Sequence, residues 1–197
     1  MNSYEDVATA LRDCRGSARV VGGGTKIGWG RPGLEPDLEI STSELDQILE
    51  HNEGDLTAVL QAGVPLARAQ ERFARANQMI ALDPPDLGGA TIGGIVATGD
   101  SGPLRHRYGA ARDLVVGVTV ALPDGAVARA GGKVIKNVAG YDLAKLFTGS
   151  FGTLGAIVEV AVRLHPLRPT ASAGGQSDRP EAVANAAIEL AHSQLEA

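Results

Sequence analysis

The chain has 197 residues, 44% of them apolar, and its 18 basic residues against 23 acidic ones give a formal net charge of −5. This length and composition suit one soluble globular domain, or two small lobes that share a ligand, and the even spread of Lys and Arg excludes a nucleic-acid partner. The single cysteine, Cys14, excludes an internal disulfide and any multi-cysteine zinc or iron–sulfur site.

The first predicted elements form a small lobe. A Ser-x-x-Asp pattern over residues 3–6 indicates the capped start of a short helix. Residues 18–21, ARVV, are typical of a buried strand, and we expect residues 38–41 and 56–62 to be its neighbours in a sheet. Apolar residues at helical spacing then predict an amphipathic helix over 65–77, with a proline in its first turn.

A Pro- and Gly-rich break at residues 83–89 separates this first part of the chain from the second. The elements predicted after it are a helix over 91–99, an antiparallel hairpin over 113–130 with a turn at Pro-Asp-Gly, a short helix over 141–147 and a half-buried strand over 155–166. We therefore expect one lobe over residues 1–87 and a second over residues 88–166.

Residues 167–197 differ in composition from the rest. They begin with a stretch rich in Pro, Gly and Ser, typical of a linker, and continue into an alanine-rich segment of high helical propensity. We expect a linker and the start of a further cap domain that is missing or truncated.

The strand at 18–21 runs directly into three glycines at 22–24, whose N–H groups could converge on phosphate oxygens. A flexible turn is the alternative, and the glycines alone leave both open. A P-loop is excluded, because no Gly-Lys-Ser/Thr follows at the required spacing. The segment GWGRPG at 28–33 matches a dinucleotide-binding pattern, but it contains a proline and opens no amphipathic helix, so we interpret the match as accidental.

Two longer blocks carry the most specific signal: DPPDLGGATIGGIVATGDSGPLRHRYGAARDLVVGVTVALPDG at 83–125 and KNVAGYDLAKLFTGSFGTLGAIVEV at 136–160. With VVGGGTK at 20–26 they resemble, in order and spacing, the signature segments of the vanillyl-alcohol-oxidase flavoproteins, whose FAD-binding domain is of the PCMH type. The resemblance implies an α+β fold of two lobes, each a small mixed or antiparallel sheet with flanking helices, with FAD held between them. Within the family, KNVAGYDL and SGPLRHRYG look most like the FAD-binding subunits of bacterial glycolate oxidases.

The resemblance also implies which residues hold FAD. The glycine loop would surround the pyrophosphate, the segment from 86 to 109 would line the diphosphate and the flavin, and backbone near 155–157 would hold the other end of the cofactor. The implied cofactor-binding residues are Gly22, Gly23, Gly24, Thr25, Lys26, Gly28, Trp29, Asp86, Leu87, Ala90, Thr91, Ile92, Gly93, Gly94, Thr98, Gly99, Ser101, Gly102, Tyr108, Gly109, Gly155 and Ile157.

Thr25 stands where relatives with covalent flavin often have a histidine, so we expect noncovalent FAD. The four histidines have no metal-type spacing, so no metal site is predicted. His106 lies in a family segment, and either of two positions is open for it, facing the flavin or in a solvated loop. The pair Asp83 and Asp86 is interpreted as loop residues that flank prolines.

In the resembling enzymes a hydride passes from the α-carbon of a 2-hydroxy acid to flavin N5, and the substrate groups come largely from a cap domain. The catalytic base is therefore not assigned in this chain. The resemblance further implies a small 2-hydroxy-acid substrate, a second flavoprotein subunit and an iron–sulfur subunit as partners. One alternative is a noncatalytic FAD-holding or electron-relay module of such a complex. Another is a UDP-N-acetylenolpyruvoylglucosamine reductase, against which KNVAGYDLAKLFTGSFGTLG argues.

The first residues, MNSYEDVATALRDC, lack the basic segment and the apolar stretch of a signal peptide. The longest apolar runs, such as VVGVTVAL, are far shorter than the roughly 20 residues that span a bilayer. We therefore expect no transmembrane segment and a cytoplasmic location, with contact to the inner membrane made only through partners.

Overall fold

The computed structural model describes residues 2–29, 35–85, 88–132, 142–168 and 180–195, and they form a mixed α+β structure. Residues Met1–Leu167 form one compact unit, and Arg168–Ala197 form a second. The α+β class predicted from the sequence is confirmed.

The compact unit contains all the strands and six of the seven helices among the described residues. The strands are β1 (Ala18–Val21), β2 (Leu38–Ser41), β3 (Ile48–Asn52), β4 (Thr57–Gln61), β5 (Gln78–Met79), β6 (Val115–Ala121), β7 (Val127–Gly131), β8 (Ala156–Arg163) and β9 (His165–Pro166). The helices are α1 (Tyr4–Asp13), α2 (Leu66–Ala74), α3 (Ile92–Thr98), α4 (Arg105–Tyr108), α5 (Ala111–Leu114), α6 (Leu143–Phe147) and, in the second unit, α7 (Pro180–Leu195).

An antiparallel sheet of five strands, in the order β3-β4-β8-β6-β7, forms the centre of the fold. In its register Leu60 of β4 lies beside Val160 of β8, which in turn lies beside Val118 of β6. The predicted hairpin of β6 and β7 is confirmed. Two small pairs complete the strands: β1 with β2, which are parallel, and β5 with β9, which are antiparallel.

One predicted neighbour relation is wrong. The segment 56–62 was expected beside β1, but β4 lies between β3 and β8 in the large sheet, while β1 pairs with β2. The physical reason is burial: four of the five residues of β4 are buried, as an interior strand requires, whereas β1 is only partly buried. This pairing also means that a strand from the first predicted lobe and a strand from the second share one sheet.

The large sheet has apolar residues packed against both of its faces. The main cluster brings the sheet together with α2, α3 and α6, and Phe73, Ile92 and Ile95 are among its fully buried members. A smaller cluster joins α1 and β2 to the sheet through residues such as Val7 and Ile40. Burial of these side chains on both faces fixes the positions of α3 and β1 relative to the sheet.

The local signals that predicted the helices are confirmed in their geometry. At α1 the Ser3 hydroxyl accepts a hydrogen bond from the Asp6 amide (3.0 Å), and the Asp6 carboxylate accepts one from the Ser3 amide (3.1 Å). Helix α3 begins after the N-cap Thr91 and ends at Gly99, which is left-handed with φ 67°. Such a conformation favours glycine, so the end of α3 is encoded locally.

The predicted loop role of Asp83 is confirmed, and Asp86 lies outside the described residues. The Asp83 carboxylate accepts hydrogen bonds from the amides of Gly102 and Leu104, both at 3.0 Å, which holds the chain after α3. The predicted C-terminal helix is present as α7. Among the described residues, no helix is both long enough and apolar enough to cross a membrane.

Candidate functional site

A cleft of about 480 Å³ lies in the compact unit, where three chain segments meet. They are the loop after β1, helix α3, and the loop that leads into β8. This volume is within the roughly 300–1,000 Å³ range of small-molecule sites. Of the described lining residues, only Arg19 and Lys26 are charged.

The glycine loop forms one wall of the cleft because it lies directly against the start of α3. A methyl group at Gly22 would collide with the Thr91 hydroxyl, and one at Gly23 would collide with the carbonyl oxygen of Gly89. Gly24 is left-handed, with φ 72°. Within the described part of the chain, the amides of Gly23, Gly24 and Thr25 donate no hydrogen bond. The loop therefore brings N–H groups to the cleft that can donate to an anion.

A buried ion pair stands at the end of this loop. The Nζ atom of Lys26 lies 3.1 Å from Oδ2 of Asp100, and the two side chains are only 7% and 5% exposed. The same ammonium group donates a hydrogen bond to the Thr25 hydroxyl (3.0 Å) and lies 5.8 Å from the ring centroid of Trp29. These three contacts hold the ammonium group of Lys26 in place.

Small residues on α3 form the floor of the cleft and allow the helix to approach the sheet. A methyl group at Gly93 would lie 2.6 Å from the Cβ atom of Ala62, the residue after β4. On the other side, Gly94 and Thr98 line the cleft, and the Thr98 hydroxyl donates to the Gly94 carbonyl (2.8 Å). A ligand can thus lie close to the helix backbone.

The loop before β8 carries an exposed aromatic residue in an unusual conformation. Phe151 lines the cleft and is 54% exposed. Its φ of 53° lies in a backbone region that residues other than glycine rarely adopt. Its amide donates to the Ala97 carbonyl (2.8 Å), and the Gly149 amide donates to the Val96 carbonyl (2.9 Å), so the loop is tied to α3. Trp29, 45% exposed, is a second aromatic residue in the lining.

Over half of the cofactor-binding residues implied by the sequence come together in this cleft. Those that line it are Gly22, Gly23, Gly24, Thr25, Lys26, Trp29, Thr91, Gly93, Gly94, Thr98, Gly155 and Ile157. Their convergence from three separate segments supports the prediction that they form one site.

Ten further lining residues were not predicted as site residues. They are Arg19, Val20, Val21, Ile27, Thr42, Ala97, Phe151, Gly152, Thr153 and Ala156. Four of them, Val21, Ile27, Ala97 and Ala156, directly adjoin a predicted residue in the chain. Thr42 is different, because it reaches the cleft through the parallel pairing of β1 and β2, which sequence spacing does not reveal.

Eight implied residues lie outside the lining, and their roles stay predictions: Gly28, Ala90, Ile92, Gly99, Ser101, Gly102, Tyr108 and Gly109. Ala90 and Ile92 are buried in the main core, and the Tyr108 ring packs 4.7 Å from the His165 ring. Two more, Asp86 and Leu87, lie outside the described residues.

No histidine is among the described residues that line the cleft. His106 is exposed and lies outside the lining, and His51 lies 2.9 Å from the Gln78 side-chain oxygen. Burial lowers the pKa of His165, with a further lowering from the charge of Arg163. In the part of the chain that the structure describes, no group of three or more His, Cys, Asp or Glu residues could hold a metal ion.

The residues present fit FAD. The amides of the glycine loop suit a diphosphate, the small residues of α3 permit close approach, and the aromatic residues suit a planar ring. Outside the lining, the buried hydroxyls of Ser101 and Ser150 have no hydrogen-bond partner among the described residues. These hydroxyls lie on loops that adjoin each other, since a methyl group at Gly99 would lie 3.5 Å from the Cα atom of Gly149.

The fold and the cleft define an α+β protein with a glycine-lined cleft of small-molecule size. Residues 1–131 match the FAD binding domain family, and the chain belongs to this family. The predicted cofactor, FAD, is the one for which the family is named, and the sequence-based resemblance is confirmed.

Curated relatives are similar over most of the chain. The chain is 35% identical over 178 residues to the glycolate oxidase subunit GlcE of Escherichia coli, covering 90% of the chain and 49% of the relative. It is 39% identical over 145 residues to the glycolate oxidase subunit GlcD of Bacillus subtilis, covering 74% of the chain and 31% of the relative. The chain thus spans about half of the first relative and about a third of the second.

A solved structure shows the same fold. An alkyldihydroxyacetonephosphate synthase superposes with a TM-score of 0.72 over 84% of this chain and 31% of its own. The two sequences are 23% identical, so this likeness concerns the fold alone.

Proposed function

We propose that this chain is the FAD-binding part of a 2-hydroxy-acid oxidoreductase of the glycolate oxidase type. The observation that carries the proposal is the convergence of the glycine loop, α3 and the β8 loop on one cleft, in a chain of the FAD binding domain family. The relatives named as glycolate oxidase subunits support the substrate class. So do relatives named D-lactate dehydrogenase in Arabidopsis thaliana and D-2-hydroxyglutarate dehydrogenase in Stutzerimonas stutzeri.

When bound, FAD would supply the hydride acceptor, at flavin N5, for the α-carbon of the 2-hydroxy acid. The residues of this chain would hold the cofactor. Loop amides from Gly22 to Lys26 would bind the diphosphate, and the backbone at Gly155 and Ile157 would hold the other end. Phe151 would pack against a planar ring.

We further propose that FAD is bound noncovalently. Thr25 stands in the loop position where covalent relatives of the resembling family often have histidine. The support from the structure is that no described lining residue is His, Cys or Tyr, the side chains that could form such a bond. Denaturation should therefore release all bound flavin from the chain.

The proton acceptor for the substrate hydroxyl would come from outside the described cleft. None of the described lining residues is Asp, Glu or His, the carboxylate and imidazole groups that most often act as general bases. We propose that this base and the groups that bind the substrate carboxylate belong to a cap domain, as the family resemblance implies. This same observation favours the second candidate function for the chain by itself, a noncatalytic FAD-holding or electron-relay module.

We propose a second flavoprotein subunit and an iron–sulfur subunit as partners. The names GlcE and GlcD, given to two subunits of glycolate oxidases, support a multi-subunit assembly. We also propose a cytoplasmic location, with contact to the inner membrane made through these partners. Affinity purification from the source cell, followed by mass spectrometry and membrane fractionation, would test both proposals.

The test of the proposed activity is anaerobic reduction of the bound flavin. Glycolate and D-lactate are added separately to the longest available form of the protein with its partners, and the flavin absorbance is followed. Bleaching by either acid, with turnover when a dye acceptor is added, supports the oxidoreductase. Retained flavin that neither acid bleaches favours the electron-relay module.

A further inference from the structure

The ion pair between Lys26 and Asp100 combines a group that lines the cleft with one that does not. Lys26 is part of the lining, and Asp100 lies behind it. The two come from different segments, the glycine loop and the residue after the C-cap of α3. Both side chains are more than nine-tenths buried, so their charges are only weakly screened by solvent.

Asp100 is held in place by its backbone. Its amide donates to the Ile95 carbonyl (3.1 Å), directly after Gly99 ends the helix. The backbone from which the carboxylate projects is therefore held beside the ammonium group of Lys26. The long side chain of Lys26 also has the Thr25 hydroxyl as a partner on the cleft side.

Lys26 and Asp100 form an ion pair without a well-aligned hydrogen bond between them. Oδ2 of Asp100 lies within ion-pair distance of Nζ, yet in the described part of the chain this oxygen accepts no hydrogen bond, because the direction of approach is poor. An ammonium group has three N–H donors, and the Thr25 hydroxyl accounts for one of them. Lys26 therefore has N–H groups left to donate to an anion in the cleft, while the Asp100 carboxylate compensates its charge.

The rest of the cleft adds little net charge. Arg19, the other charged residue in the described lining, has Glu39 at 3.8 Å, and both of these side chains are partly exposed. A dianionic diphosphate would thus meet N–H dipoles together with one lysine whose charge Asp100 already compensates. Removal of the Asp100 charge would leave that lysine free to interact with the ligand.

We propose that Asp100 is an affinity-setting counter-ion. It stabilises the charge of Lys26 in the free protein and, by sharing that lysine, weakens the binding of a diphosphate in the cleft. This inference rests on the proposed FAD site and adds a positioning residue that lies outside the lining. It predicts two coupled effects of removing the Asp100 charge: the free protein becomes less stable, and an anionic ligand binds more tightly.

The experiment measures ADP and inorganic pyrophosphate binding by calorimetry, FAD binding by fluorescence, and thermal unfolding with and without ADP. Asp100→Asn should lower the melting temperature of the free protein and tighten ADP binding by about tenfold at low ionic strength, with a smaller gain at high salt. Asp46→Asn is the matched control, because it removes the same charge from an exposed ion pair with Arg68 and should leave affinity unchanged.

A second set of variants keeps the test decisive if Asp100→Asn does not fold. Lys26→Met leaves an uncompensated carboxylate beside the ligand and should weaken ADP binding by about tenfold or more. Lys26→Met combined with Asp100→Leu removes both charges and should recover at least about fivefold of that loss. A merely structural pair predicts that the affinity of each variant follows its melting temperature, whereas the counter-ion role predicts the loss in Lys26→Met and the recovery in the double variant even where both variants stay folded.

The outcomes separate this inference from the proposed function. Tighter ADP binding in Asp100→Asn, or recovery in the double variant, supports the counter-ion role even if FAD itself fails to bind. If FAD binds but ADP affinity falls in Asp100→Asn and does not recover in the double variant, the counter-ion role is wrong and the FAD site stands. If neither ADP nor pyrophosphate binds any variant, the counter-ion role is wrong, whatever FAD does.

Discussion

Glu159 is half-buried and Asp100 is buried, and the surroundings of their carboxylates differ. Glu159, on the central strand β8, accepts hydrogen bonds from the Tyr4 hydroxyl (2.9 Å) and the Thr119 hydroxyl (2.8 Å), so each of its oxygens has a partner. Asp100, beside the cleft, has an oxygen that accepts no hydrogen bond among the described residues. A carboxylate with a hydrogen bond on each oxygen indicates a structural role, whereas Asp100 is paired mainly with the charge of Lys26, a residue that lines the cleft.

The same contrast separates the regions around these two residues. Tyr4, Glu159 and Thr119, together called the Tyr4 cluster, join α1 to the sheet next to a regular apolar core. The cleft side instead collects left-handed residues, glycines that lie against neighbouring backbone, and hydroxyls without a partner in the described part. Changes on the cleft side should therefore act mainly on FAD affinity, and changes in the Tyr4 cluster mainly on the free energy of unfolding.

The largest effect is expected from Gly23→Ala. The added methyl group would collide with the Gly89 carbonyl oxygen, which would move the loop away from α3. We expect FAD affinity to fall on the order of a hundredfold, because the diphosphate donors lose their position. Fluorescence titration with FAD measures the effect. Gly54→Ala is the control, since a methyl group there would meet only the Asn52 side chain at 3.7 Å. Equal affinity in the two variants would contradict the position of the site.

Phe151→Gly should separate affinity from stability. Glycine adopts the left-handed conformation of this residue without strain, so the melting temperature of the free protein should not fall. Loss of the ring should weaken FAD binding about fivefold to tenfold, as expected for one aromatic contact. Phe151→Ala keeps the strain and is the comparison variant. If Phe151→Gly unfolds more easily but binds FAD normally, the ring contributes to packing of the free protein and not to FAD binding.

Tyr4→Phe should lower stability and leave FAD affinity unchanged, which is the opposite of the effect expected for Phe151→Gly. Burial, and next the hydrogen bond to Glu159, raises the pKa of Tyr4 to about 12, which indicates that the neutral phenol is the form the fold favours. Removal of the Tyr4 hydroxyl should lower the free energy of unfolding by about 1 kcal/mol, as measured by unfolding in urea. FAD affinity should stay unchanged, and a tenfold loss of affinity would remove the distinction between the two regions.

The smallest expected effect concerns His165. The pKa of His165 is lower in the folded protein than in the unfolded chain. The stability that the neutral His165 side chain contributes is therefore fully present above the unfolded pKa, and it is lost as the pH falls through the folded pKa. The melting temperature should therefore decrease as the pH is lowered from about 7 to about 5, and His165→Gln should reduce this decrease. An unchanged pH profile in the variant would show that other groups are responsible.

The sequence predicted the elements with strong local signals and missed relations that depend on pairing. The capping box of α1, the hairpin of β6 and β7 and the left-handed end of α3 follow from short-range chemistry. The position of β4 in the large sheet does not, because burial of a strand reveals that it is interior and not which strands lie beside it.

The candidate site was predictable where the backbone itself makes the cleft. The glycine loop and α3 were recognised from the motifs, whereas Thr42 and Phe151 were missed. Thr42 reaches the cleft through strand pairing, and the importance of Phe151 lies in a backbone angle. Asp100 was also missed, because a buried ion pair between distant residues leaves no periodic signal in the sequence.

The central claim is that the cleft binds FAD noncovalently, and an absorbance spectrum tests it most directly. The purified 197-residue chain is mixed with excess FAD, desalted, and its spectrum is recorded before and after denaturation and filtration. The account predicts about one flavin per chain, all of it released into the filtrate on denaturation. A chain that retains no flavin even after incubation at high FAD concentration, or one that keeps flavin attached after denaturation, would contradict it.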